Sequence, residues 1–240
     1  MSSDKALSAA PNPGSSNSSV ASNWYTAIVL CLMLGLSVLG AHVNLPGAFA
    51  AQGHVPMYLL VIFFEWVTVA FISWGLHRRR IRLSDLVGGS WAGPLHFLRD
   101  LGLGVAFLIV FGIVGLQVLS SLLNVTEPEV LREMMPKTWP EMILWVLMAL
   151  TAGFCEEVIF RGFLQRQFSA LTRSMVGGIV LQAIVFGLSH GYQGWKLMSL
   201  ISTYGVCFGL FAHWRRSLRP GMLAHALQDT LGGLAGFLMR

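Results

Sequence analysis

Charge is what this 240-residue chain has least of: 11% of its residues are Asp, Glu, Lys or Arg, against about 25% in a soluble domain. With 55% hydrophobic residues and a mean hydropathy of +0.65, that scarcity excludes a soluble globular protein. It leaves an integral membrane protein with several spans. The three cysteines, Cys31, Cys155 and Cys207, all lie in apolar runs. They read as small buried hydrophobes and exclude a disulfide framework. There is no repeat of fixed period and no His-Glu-x-x-His run. The first apolar run has neither a basic segment before it nor a cleavage site after it, so it reads as a retained helix rather than a signal peptide. Residues 1–23 are rich in Ser, Asn, Ala and Pro, a composition expected to stay disordered.

Apolar runs fill the rest. Candidate spans fall at about 25–43, 57–76, 101–123, 142–165, 175–190, 197–214 and 222–239, each near the ~20 residues needed to cross a bilayer. The fold expected is therefore all-α, a polytopic transmembrane bundle of seven or eight helices over 24–240. The extra helix would lie in 83–95 or 129–135. The net charge of +5 is no nucleic-acid signal, because the arginines flank apolar runs: Arg78–Arg80 and Arg82, then Arg161, Arg166 and Arg173, then Arg215, Arg216 and Arg219. Basic loops mark the cytoplasmic face. Placing the Arg78–Arg82 loop inside also puts 166–173 and 215–219 inside. The N-terminus is then cytoplasmic and the loop 44–56 outside. Gly205-x-x-x-Gly209 and Gly232-x-x-x-Gly236 are small-residue pairs that would let helices approach closely.

Against that background a few polar residues stand out. Glu156 and Glu157 are adjacent within Ala152-Gly153-Phe154-Cys155-Glu156-Glu157-Val158-Ile159-Phe160-Arg161, and carboxylates inside a span are costly and usually functional. Glu157 and Arg161 are four apart in the favourable order for an ion pair. Glu156 is rotated roughly 100° away and lacks that partner, so one acid is held and the other is free for chemistry. Phe186-x-x-x-His190 and His225-x-x-x-Asp229 repeat the i, i+4 spacing, which puts each pair on one helix face. Counted from the cytoplasmic helix ends, Glu156 lies at roughly 18 Å, His190 at roughly 24 Å and His225 to Asp229 at roughly 10–16 Å, at about 1.5 Å per residue. Three helices thus bring acids and histidines to a similar depth. A carboxylate and an imidazole sharing a water form a general-base pair, and further donors can hold an oxyanion. The residues themselves point to hydrolysis in a membrane cavity. Glu65 is mid-span, where it can line that cavity, and no chemistry is assigned to it; Asp100, His42 and His54 also lie outside the motifs.

The three motifs, Glu156-Glu157-x-x-x-Arg161, Phe186-x-x-x-His190 and His225-x-x-x-Asp229, resemble the signatures of the CAAX protease and bacteriocin-processing family of intramembrane endopeptidases, which includes the Ras-converting type II CAAX prenyl endopeptidases. The resemblance implies a catalytic core at about 142–238 and an activity that hydrolyses a peptide bond. Glu156 with His190 would activate the water, Glu157 with Arg161 would brace the site, and His225 with Asp229 would stabilise the oxyanion. Phe186 would shape the substrate cavity. Many members have Asn where this chain has Asp229. An ionised Asp cannot donate to an oxyanion, so Asp229 would act protonated or by orienting His225. The implied partners are the lipid bilayer and a peptide or protein substrate, with C-terminal lipidation as one form, and no nucleic acid. The location expected is an integral, multi-pass place in a membrane, the plasma (inner) membrane if the source is bacterial.

Other readings stay open at this level. Glu156, His190, His225 and Asp229 are all potential zinc ligands, so a zinc-dependent intramembrane metalloprotease is the alternative to catalysis without a cofactor. A non-catalytic immunity or scaffold protein could bind a peptide in the same cavity, although no motif residue is missing. A proton-coupled transporter would more often show inverted repeats and broken helices. Cys155 and Ser189 neighbour the motifs without a nucleophile–base pattern.

Overall fold

The computed structural model describes residues 19–43, 53–125 and 129–239; the expected tail before residue 19 and most of the loop 44–56 lie outside them. Among the described residues the chain forms nine helices and no strand: α1 Asn23–Val43, α2 Val55–Arg78, α3 Leu83–Val87, α4 Pro94–Leu122, α5 Glu129–Met134, α6 Trp139–Thr172, α7 Met175–Ser189, α8 Trp195–Arg215 and α9 Arg219–Leu238. Five of them, α1, α2, α4, α6 and α8, are long and apolar enough to cross a bilayer. The protein is a multi-pass all-α membrane bundle. Of the other two expected spans, α7 is 15 residues long and α9 carries His225, Gln228 and Asp229 along its 20 residues. The short α3 and α5 occupy the two segments reserved for an additional helix.

Helix boundaries follow local chemistry. Thr138 accepts from the Glu141 backbone N–H, and Glu141 accepts from that of Thr138, a reciprocal cap with Pro140 in the first turn of α6. Ser174 caps α7 by accepting from Gly177. Two helices depart from plain α geometry. Leu108–Gly115 in α4 and Glu157–Leu164 in α6 are wide π turns. In α6 all eight residues of that stretch are buried, surrounded by α2, α3, α7 and α8. A helix enclosed on every side has no polar face to spare, and the wide turns begin at the fully buried Glu157.

By contrast α4 turns Ile109, Val110, Ile113, Val114 and Val118 outward, the exposure expected where lipid is the solvent. The main core forms around α6: Val158, Ile159, Phe163 and Leu164 pack with Val69, Ile72 and Leu76 of α2.

Two packing features position the site. Gly153 lets α6 and α9 touch backbones, since a Cβ there would meet the Met222 carbonyl and Ala226 nitrogen at 2.8 Å. This crossing brings Glu156 and Glu157 to the level of His225. Tyr58 meets Trp145 edge-on and, farther along both helices, Trp66 stacks on Phe154, so α2 runs parallel to α6. The small-residue pairs behave unequally. Gly205 and Gly209 lie against Ala183 and Gln182 of α7, whereas Gly232 meets nothing, and Gly233 instead receives the Trp145 indole. The basic loops do share one end of the bundle: Arg166 donates to the carbonyls of Asp85 and Leu86, and Ser217 to that of Val87.

Candidate active site

Glu157 is fully buried, and Arg161 Nη1 lies 3.1 Å from its Oε1. No Arg161 nitrogen makes an aligned hydrogen bond, so this is a charge contact. The guanidinium is enclosed by aromatic faces instead, 4.1 Å over Phe186, 5.0 Å over Phe208 and 5.9 Å over Phe160. Such faces attract a desolvated cation. The pair therefore forms a rigid, dry base beneath the site.

His225 stands on that base. Its Nδ1 is 3.3 Å from Glu157 Oε1, and its Nε2 is 3.6 Å from both Glu156 Oε2 and Asp229 Oδ2. One imidazole thus faces three carboxylates from two helices. The contact at Nδ1 is within hydrogen-bond reach, whereas the two at Nε2 are longer charge contacts. Phe208 and Phe186 pack against the ring, and Trp145 Nε1 donates to the Asp229 carbonyl at 2.8 Å, fixing α9 against α6.

The two adjacent glutamates have different surroundings. The Glu157 side chain has no exposure, while that of Glu156 is 17% exposed and faces a cavity of about 270 Å³. His190 lines the same cavity. It lies just past the end of α7, its Nδ1 2.8 Å from the Phe186 carbonyl. A carbonyl accepts, so Nδ1 carries a hydrogen and Nε2 is the ring nitrogen left for other partners. Tyr192, on the turn after α7, is a further lining residue. Desolvation by burial pushes its hydroxyl up to about 12, so it remains a neutral donor.

Of the expected residues, the structure brings Glu156, Glu157, Arg161, His225 and Asp229 into one connected cluster and puts His190 on the wall of the cavity that Glu156 also lines. Phe186 is buried at the centre of the cluster, under Arg161, and packs edge-on against Phe160, which is among the residues that line the cavity. Sequence reasoning did not find Trp145, Gly153 or Tyr192, whose importance comes from contacts between helices far apart in the chain. Glu65 lines the cavity; a lone carboxylate mid-span was its signal. Among the described residues no three His, Cys, Asp or Glu side chains are grouped to hold a metal ion.

No curated protein and no solved structure matches the chain. Over residues 138–231, from the capping threonine of α6 into α9, it matches the family model Type II CAAX prenyl endopeptidase Rce1-like, and it is to this family that the segment bearing the cluster is similar.

Proposed function

We propose that the protein is an intramembrane endopeptidase that hydrolyses a peptide bond with a water activated by Glu156 and His190. The observation that carries this is that both line one cavity: a carboxylate with an oxygen lacking any hydrogen-bond partner and an imidazole whose Nδ1 is held by the Phe186 carbonyl. In the proposed reaction the water oxygen attacks the carbonyl carbon and one of its protons goes to Glu156. The C–N bond then breaks, and Glu156 returns that proton to the leaving amine, giving a carboxylic acid and an amine, which become carboxylate and ammonium when the acid's proton passes to the amine. His225, placed between Glu156 and Asp229, stabilises the oxyanion, with Asp229 orienting its ring. Glu157 and Arg161 hold the ring from below.

The substrate proposed is a peptide or protein end at the membrane carrying a C-terminal lipid. The cavity walls formed by α1 and α2, with Met33, Leu36, Leu39, Met57, Leu60 and Phe64, suit an apolar chain. The arginine-rich end of the bundle is read as cytoplasmic, with the N-terminus on the same side. The test is cleavage of a quenched farnesylated CAAX peptide by the purified protein, with and without a strong zinc chelator, beside Glu156→Gln. Cleavage that survives chelation and needs Glu156 is expected. Loss on chelation with recovery on adding zinc would replace the metal-free mechanism, and full activity of Glu156→Gln would remove this residue from the reaction.

A further inference from the structure

We propose that Glu65, on α2 and outside the region matched to the family, is a substrate-binding residue of the cavity: its carboxyl group hydrogen-bonds the main chain of a peptide lying against Glu156 and His190. The inference rests on the reading of the cavity as a peptide site.

Glu65 lines the cavity together with Glu156 and His190. Its Oε2 is fully enclosed and has no hydrogen-bond partner. Leaving such an atom unsatisfied costs about 1–3 kcal/mol, and a carboxyl group within a span costs more. A purely structural acid is expected to have its partners in place, as Asp100 and Glu141 do. Asp100 is met by the Trp91 indole and by arginines, and Glu141 by three backbone N–H groups. Glu65 lacks such partners and is itself a lining residue of the cavity.

The rest of the α2 wall is apolar: Met57, Leu60, Val61 and Phe64. On the α1 side Ser37 also borders the cavity, but its hydroxyl already donates to the Leu188 carbonyl. A peptide drawn into this space presents backbone N–H and C=O groups that water no longer serves, and each needs a partner on the wall. Glu65 is the hydrogen-bonding group that α2 offers. The parallel register set by the Tyr58–Trp145 and Trp66–Phe154 contacts fixes its height relative to Glu156, so the peptide would be held between two helices.

The experiment measures equilibrium binding of the farnesylated CAAX peptide to Glu156→Gln protein, alone and combined with Glu65→Leu or Glu65→Gln, in parallel with cleavage by the wild type. Glu65→Leu should weaken binding about tenfold, the effect of losing one well-made hydrogen bond. Glu65→Gln, which keeps a donor and an acceptor, should stay within about threefold of its parent. Thermal unfolding in detergent separates this from a structural role: removing an unsatisfied acid should hold or raise the midpoint, whereas removing a structural one lowers it. Equal binding by all three proteins, or a lowered midpoint in Glu65→Leu, overturns the proposal. A loss in Glu65→Gln as large as in Glu65→Leu overturns the hydrogen-bond assignment. Wild-type protein that binds with this pattern but never cleaves leaves Glu65 in place and removes the protease reading. Cleavage with indifferent binding does the reverse, and no binding at all overturns both.

Discussion

Asp100 and Glu156 are both carboxylates held inside an apolar helical protein, and the chain surrounds them in opposite ways. Asp100 has no exposure. It accepts from Trp91 Nε1 at 3.1 Å, Arg99 Nη2 lies at 3.0 Å and Arg219 Nε at 3.2 Å, and Arg215 stands at 3.9 Å. These groups come from the starts of α4 and α9 and the end of α8, so one acid ties three helix ends together. Glu156 has an enclosed oxygen with no hydrogen bond, a histidine at 3.6 Å and a cavity in front of it. The contrast separates acids that build the bundle from acids left ready for something else. Burial alone does not make the distinction; unspent hydrogen-bonding capacity facing a space does.

The strongest way to sharpen that contrast is Glu156→Gln. Removing a general base costs about a thousandfold in kcat, and because Glu156 holds nothing in place, the thermal midpoint in detergent should stay put. A large fall in midpoint with activity per folded molecule preserved would move Glu156 into Asp100's class. His225→Ala comes next. Loss of one oxyanion donor costs about 10²–10³ in kcat, and KM should change little because that contact strengthens in the transition state. Steady-state kinetics on the same peptide decides it; a rise in KM at constant kcat would make His225 a binding group. Asp100→Asn should reverse the pattern. Breaking a buried ion pair on one side costs roughly 3 kcal/mol, the low end of the range for such pairs, because the Arg99 side chain is half in solvent. The molecules that fold should cleave at the normal rate.

How much of this was legible beforehand depended on distance along the chain. The all-α class, the two segments offered for one extra helix and the Glu157–Arg161 contact follow from hydropathy, composition and i, i+4 spacing, which act within a few turns. The meeting of His225 with both glutamates could be inferred only as a shared depth. The crossing that produces it rests on Gly153 against Ala226, and nothing in the glycine's neighbours announces its partner. The π stretch at Glu157–Leu164 was equally hidden, because it reflects burial by four other helices. Trp145 illustrates the same limit. Its spacing marks it as an apolar face of α6, while its indole N–H holds the Asp229 carbonyl, a contact between residues far apart in the chain. Glu65 was visible as a mid-span acid, but its open oxygen and its place on the wall belong to tertiary structure.

Glu141 offers the smallest and most discriminating test, because it is a second saturated acid near the opposite end of α6. Its Oε1 accepts from the His54 backbone N–H at 3.0 Å, and its Oε2 accepts from those of Lys137 and Thr138 at 2.6 and 3.1 Å. The His54 ring lies 3.3 Å from Oε1. Both oxygens are therefore acceptors, joining the start of α2 to the start of α6. Glu141→Gln keeps one acceptor but turns an amide N–H₂ toward backbone N–H donors, so about 1–3 kcal/mol of stability should be lost. The loss should appear as a lower thermal midpoint in detergent with kcat unchanged. Were kcat to fall by the same factor as in His225→Ala, the clamp between α2 and α6 would have to be transmitting strain to the cavity. The separation drawn here between acids that build and acids that react would then fail at the joint where both helices meet.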